Sequence, residues 1–236
     1  MARLKNGKDF TFDFSSLDFD KKSEEQMQEV PKLNTEPVMF ENAKQMAIKV
    51  DWSKDYFCFV AGSFIFGDFI EALLYAKRLK PTSVYITTLG LSKSNIDSIV
   101  NMVDYLKAEK VNIVVSHYFS GVERHNLVPY MEQEFKFKPI NVAVLQSHCK
   151  IALIKTDKGD CLISGSANLS SSNNVEQFII THDQQAIDFI QKRLDNIMDK
   201  FTVIEGIKGA KMHWNKNKGN TGVNAFKALQ IKEENE

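Results

Sequence analysis

Three times between Tyr56 and Glu134 an apolar run of strand length gives way to a helical pattern, and that alternation constrains the fold more than any other feature. Tyr56–Ala61, Val84–Leu89 and Val111–Phe119 read as strands. Phe66, Phe69, Ile70, Leu73 and Leu74 form one stripe of a helix over Ile65–Leu79. Ile96, Ile99, Val100, Val103 and Leu106 do the same over Ser94–Glu109, with Ser94 and Asp97 as a capping box. Glu123–Glu134 reads as helical around Pro129. Strands follow at Ile140–Leu145, His148–Lys155 and Cys161–Ser164, then a strand or loop over Gln177–Thr181. A last helix covers Gln184–Phe201, with Ala186, Ile187, Ile190, Leu194, Ile197 and Met198 apolar. Strand–helix alternation followed by a hairpin predicts an α/β fold, a mixed β-sheet flanked by helices.

The polar chemistry of the chain concentrates between His148 and Glu176. Side chains alternate faces along a strand, so His148 and Lys150 are expected on one face and Cys149, Ile151 and Leu153 on the other. Asp157-Lys158-Gly159-Asp160 reads as a hairpin turn. The returning strand leads into Gly165-Ser166-Ala167-Asn168, where Ser166 and Asn168 again share a face. Such a hairpin gathers an imidazole, an ammonium, a hydroxyl and an amide into one patch. An imidazole attacks or moves protons near pH 7, and Lys150 offers three donors and a charge to phosphate oxygens. Glu176 is read in two ways: as the carboxylate that orients the His148 ring, or as a surface charge. Ser170, Ser171, Ser172, Asn173 and Asn174 read as a polar loop.

In these residues the sequence resembles the phospholipase D superfamily, whose signature joins H-x-K, a following aspartate, G-S-x-N and often a downstream glutamate. The matches are His148, Lys150, Gly165, Ser166, Asn168 and Glu176. The resemblance implies a phospholipase D-like α-β-α sandwich and assigns His148, Lys150, Ser166, Asn168 and Glu176 to the catalytic site, with no cofactor and no metal. The chain departs from the signature at Lys155, where the family has its aspartate. Asp157 and Asp160 lie nearby, either as substitutes or as turn-forming residues.

Most members of that family carry two copies of the motif, and this chain has one, with no internal repeat. The resemblance therefore implies a homodimer in which two motifs share one cleft. One His148 attacks phosphorus to give a phosphohistidine, and the opposing His148 protonates the leaving oxygen. Small single-motif relatives resemble nucleases, so the expected substrate is a DNA or RNA phosphodiester. The alternative is a catalytically inactive module that binds phosphate or nucleic acid, and transfer to an alcohol is a third outcome.

Composition narrows the remaining classes. The chain has 236 residues, of which 43% are hydrophobic, enough for one domain with extended ends. Lys and Arg total 30 and Asp and Glu total 30, so nothing in the net charge argues for broad nucleic-acid affinity. No apolar run is long enough to span a membrane, and MARLKNGKDF does not read as a signal peptide. Cys58, Cys149 and Cys161 lack C-x-x-C spacing, which fits a reducing, cytoplasmic setting. The expected organisation is a polar arm over 1–36 with Phe10, Phe12, Phe14 and Phe19, a domain over 37–205, and a Gly/Asn/Lys-rich tail over 206–236. Cys149 beside His148 makes a poor thiol dyad, because strand neighbours point apart. His117, His125, His148, His182 and His213 have no metal-ligand spacing with the cysteines. Gly62-Ser63-Phe64 lacks the Gly-Lys-Ser/Thr of a phosphate loop.

Overall fold

Strand residues that are buried on both sides mark the centre of a sheet, and Val111–Ser116 is such a run along its whole length. The computed structural model describes residues 35–40, 43–61, 64–169 and 174–209. Their strands are β1 Thr35–Phe40, β2 Asp55–Val60, β3 Pro81–Thr88, β4 Val111–Ser116, β5 Ile140–Leu145, β6 Ile151–Thr156, β7 Gly159–Gly165, β8 Glu176–Thr181 and β9 Thr202–Glu205. Their helices are α1 Ala43–Lys49, α2 Phe66–Ala76, α3 Lys93–Asp104, α4 His117–Val122, α5 Leu127–Glu134 and α6 Gln184–Phe201. The strands form a single sheet in the order β1-β2-β8-β7-β6-β3-β4-β5-β9.

The sheet is mixed. β1 and β2 run parallel, as do β3, β4 and β5. The antiparallel strands β6, β7 and β8 join these two parallel groups. One face packs on α1, α2, α3 and α5 through residues such as Phe69, Leu73, Ile99, Ile113, Ile163 and Phe178. The other face packs on α6 through Tyr85, Val114, Leu153, Leu162, Ile187 and Leu194. Two helical layers around one sheet make the α-β-α sandwich that the resemblance implies. Full burial contributes about 1.5–3 kcal/mol for each large apolar side chain, so these two clusters hold the layers together. On the α6 side, Phe59 at the far strands is left 46% exposed.

The β6–β7 hairpin forms as expected, with Thr156 opposite Gly159 and Lys155 opposite Asp160. Gly159 takes a φ of +112°, a backbone state that L side chains rarely adopt. Other expectations shift. The cap of α3 is Ser92, whose side chain forms a reciprocal capping box with Asn95, rather than Ser94 with Asp97. The strand expected from Val111 to Phe119 ends at Ser116, where the Ser116 hydroxyl accepts from the Tyr118 N–H and starts α4. β1, α1 and β9 carried no readable pattern: α1 is seven residues long and buries only Ala43, Met46 and Ala47. The arm over 1–36 and the tail over 206–236 lie, apart from Thr35–Glu36 and Gly206–Gly209, outside the described residues. The phenylalanines of the arm and His213 therefore lie outside them too.

Candidate active site

The topology brings one end of many strands to a single edge. β2, β3, β4, β5 and β7 end there, and β6 and β8 begin there, as the pairings Val60↔Glu176, Gly165↔Phe178, Ile151↔Ser164 and Thr87↔Ile151 require. His148 and Lys150 lie on the connection from β5 to β6. Ser166 and Asn168 follow β7, and Glu176 is the first residue of β8. All five residues singled out in the sequence thus stand at the same edge.

His148 and Lys150 are not in a strand. β6 begins at Ile151, whose N–H is taken by the Thr87 hydroxyl at 3.0 Å instead of a ladder carbonyl. The segment before it is a loop, and strand parity does not govern it. Cys149 is accordingly exposed rather than turned into the core, while Leu153 is buried as expected. Lys150 lies directly against the β7 end, because its carbonyl accepts the Gly165 N–H at 3.2 Å. Its ammonium donates to the His148 carbonyl at 3.1 Å, which folds the two motif residues onto each other.

Gly165 has a steric reason. A Cβ at this position would meet the Gln177 carbonyl at 2.1 Å and the Phe178 Cβ at 2.4 Å. Only glycine lets β8 come this close, and the approach is used at once. The Ser166 N–H donates to the Gln177 carbonyl at 2.8 Å, and the Gln177 N–H donates to the Ser166 hydroxyl at 3.0 Å. The hydroxyl proton of Ser166 goes to the Glu176 carboxylate. Glu176 is thereby engaged by Ser166, and no hydrogen bond joins it to the His148 ring among the described residues. With its single proton committed in this way, Ser166 shapes the edge, while Lys150, His148 and the Asn168 amide remain as donors toward an anion.

Two residues that the sequence reading missed support the edge, Asn95 behind the Asn168 turn and Thr87 at the start of β6. Asn95, 2% exposed, takes the Ser92 N–H on its Oδ1 at 3.0 Å and donates its Nδ2 to the Leu169 carbonyl at 3.2 Å. The Gly67 N–H at the start of α2 bonds the same carbonyl at 3.1 Å. The second missed residue is Thr87, 3% exposed, which seats Ile151. The only sequence signal for Asn95 was its place three residues after a capping serine. Asn168 itself has a buried Oδ1 with no hydrogen-bond partner, so its amide is uncommitted at that atom.

Lys155 stands away from this edge. Its ammonium is 3.3 Å from Asp160 Oδ2 and donates to Gln191 Oε1 of α6 at 2.8 Å. Asp157 accepts the Lys80 N–H at 3.2 Å and so serves the turn region. The other cysteines are buried, and burial raises the Cys58 thiol pKa to about 12 and pushes that of Cys161 up as well. Among the described residues, no group of three His, Cys, Asp or Glu side chains is arranged to hold a metal ion, and no helix is long and apolar enough to cross a membrane.

An α-β-α sandwich with His-x-Lys and Gly-Ser-x-Asn together at one edge of a mixed sheet is the architecture that the resemblance to the phospholipase D superfamily implies. No family model matches the chain, and no curated protein matches it. Solved structures do. Polyphosphate kinase from Porphyromonas gingivalis is similar at 17% identity over 71% of this chain and 30% of its own, with a TM-score of 0.48. NucT from Helicobacter pylori is similar at 19% identity over 51% of this chain and 80% of its own, with a TM-score of 0.40. Phosphatidylserine synthase from Haemophilus influenzae Rd KW20 is similar at 14% identity over 66% of this chain and 41% of its own, with a TM-score of 0.46. The chain thus spans less than half the length of the kinase and the synthase. At these identities and TM-scores the likeness carries no functional argument.

Proposed function

We propose that the protein is a phosphodiesterase of nuclease type that cleaves DNA or RNA without a metal, in a site completed by a second copy of the chain. The observation that carries this reading is the meeting of His148, Lys150, Ser166, Asn168 and Glu176 at one sheet edge, with Lys150 bonded to both the His148 loop and the β7 end. A lone motif supplies one nucleophile and no group opposite it, whereas in-line displacement needs both. In the first step a His148 ring nitrogen forms a bond to phosphorus and the P–O bond to the leaving oxygen breaks. The His148 of the partner subunit gives that oxygen its proton. In the second step a water oxygen bonds phosphorus, the P–N bond breaks, and the partner's His148 takes the water proton. The Lys150 ammonium balances charge on the non-bridging oxygens, and the Asn168 amide N–H donates a hydrogen bond to them. Ser166 and Glu176 fix the β7–β8 end of the site.

The test is cleavage of a single-stranded oligonucleotide in EDTA. Wild-type protein is expected to turn over, His148→Ala to lose turnover while still binding, and acid quenching of the wild type to trap a phosphorylated histidine. Oligonucleotide binding without turnover in the wild type would instead favour a non-catalytic nucleic-acid-binding module.

A further inference from the structure

Beside the patch lies a groove of about 260 Å³, with Asn168 on one wall and Leu89, Leu91, Tyr118, Val122 and Glu123 among the others. It adjoins the phosphate-facing residues directly. Asn168 belongs to both, and the Thr87 hydroxyl that seats Ile151, next to Lys150, lies on the strand that runs into Leu89.

The lining selects the occupant. No lysine, arginine or histidine lines the groove, and the one lining side chain charged at neutral pH is the Glu123 carboxylate, so the groove disfavours an anion. Its rim carries Tyr118, 71% exposed, and Val122, 60% exposed, an aromatic ring and an apolar side chain left bare to solvent. Its volume lies just under the range of drug-sized pockets, which suits a single flat ring system. Glu123 already accepts from the Asn126 amide at 3.2 Å, and its remaining lone pairs are open to a further donor. A ligand with an anion at Lys150 and an uncharged, flat, N–H-bearing ring in the groove is a nucleotide whose base is free of pairing and stacking.

We propose that the groove is a nucleobase subsite for single-stranded nucleic acid, with the Tyr118 ring stacking on the base and the Glu123 carboxylate accepting a base amino group. The proposal rests on the phosphodiesterase reading for the phosphate end of the ligand. It favours bases that carry an exocyclic amino group, which gives the carboxylate two N–H donors outside the ring, over thymine, which offers only its ring N3–H.

The experiment is fluorescence anisotropy of short labelled single strands on the full chain, in a His148→Ala background that prevents cleavage. The strands are oligo-dC, oligo-dT and an abasic strand of equal length, with oligo-rC to separate RNA from DNA. Oligo-dC is expected to bind roughly fivefold to a hundredfold more tightly than the abasic strand. Tyr118→Ala is expected to erase that difference, and Glu123→Gln to narrow the preference for dC over dT. Equal binding of base-bearing and abasic strands overturns the proposal, as does a Tyr118→Ala effect that is the same for both. Cleavage of the abasic strand by protein with an intact His148 reports the other reading separately. It needs the phosphate patch and not a base in the groove, so it separates the failure of one reading from the failure of the other. If no strand is cleaved but the base dependence stands, the phosphodiesterase reading falls and the subsite remains.

Discussion

Lys155 and Asp160 face each other across the β6–β7 hairpin, directly in register, with Nζ 3.3 Å from Oδ2. Lys155 occupies the position at which the family signature has an acid, and it lies five residues along the chain from Lys150. At ~3.3 Å per strand residue that is roughly 17 Å, too far for the side chain to reach a phosphate held at the sheet edge. The departure from the signature therefore falls on the α6 side of the hairpin rather than on the reacting patch. Restoring the acid with Lys155→Asp would set two carboxylates opposite each other and remove the bond to Gln191. The expected outcome is a loss of about 1 kcal/mol in urea unfolding, with no gain in turnover.

Gly165→Ala tests the close approach of β7 and β8. The added methyl group collides with the backbone carbonyl of Gln177, which belongs to a strand and cannot turn away as a side-chain tip does. The expected cost is about 1–3 kcal/mol of stability, measured by thermal or denaturant unfolding. Substrate cleavage should fall further than the loss of folded protein accounts for, because Ser166 and Glu176 separate with the strands.

Asn95→Ala tests the support of the Asn168 turn from behind. It removes the reciprocal cap of α3 and leaves the Leu169 carbonyl with the Gly67 N–H alone. A stability loss of about 1–2 kcal/mol is expected. Since Asn95 does not itself belong to the patch, kcat for oligonucleotide cleavage should drop while the pH profile keeps its shape. A changed profile would mean that Asn95 acts on the His148 ring.

Tyr85→Phe tests alkaline stability. Burial, together with the bond it donates to Asp195 at 2.5 Å, raises the Tyr85 pKa from 10.0 to about 12. Below pH 10 the phenol is protonated in both the folded and the unfolded chain, and the stabilisation is fully present. Above pH 10 the unfolded chain ionises first, so stability is lost as the pH rises toward 12. In Tyr85→Phe, urea midpoints should be lower at pH 8 and fall less steeply between pH 10 and pH 12 than in the wild type.

The layers of the fold were legible because burial writes periodicity into a sequence. Ile140–Leu145 and Gln184–Phe201 stand in the structure at the bounds the pattern gives them. Elements too short to show a period were not legible, as α1 and β9 demonstrate. The residues of the site edge were legible as a motif, but their partners were not. Glu176 bonds Ser166, and Asn95 reaches Leu169 from a helix 74 positions away. Such contacts depend on where loops land, and no local pattern encodes that. The loop character of His148–Lys150 was hidden for a similar reason: a hydroxyl on β3, not the β6 sequence, decides where the strand begins.

The position of β8 has a kinetic consequence. It pairs with β2, whose Tyr56 lies opposite Ile180, and with β7, yet it is made after both. Pairing across such a span is slow to nucleate, because the intervening chain must be closed before the contact rewards it. While the protein is being synthesised, a chain that has emerged only as far as the β6–β7 hairpin already carries His148 and Lys150, but nothing against which to seat Ser166. The edge stays incomplete until β8 has paired with β2 and β7, so the proposed chemistry requires that pairing, whereas β9, made later still, closes on β5 and adds nothing to the seat of Ser166.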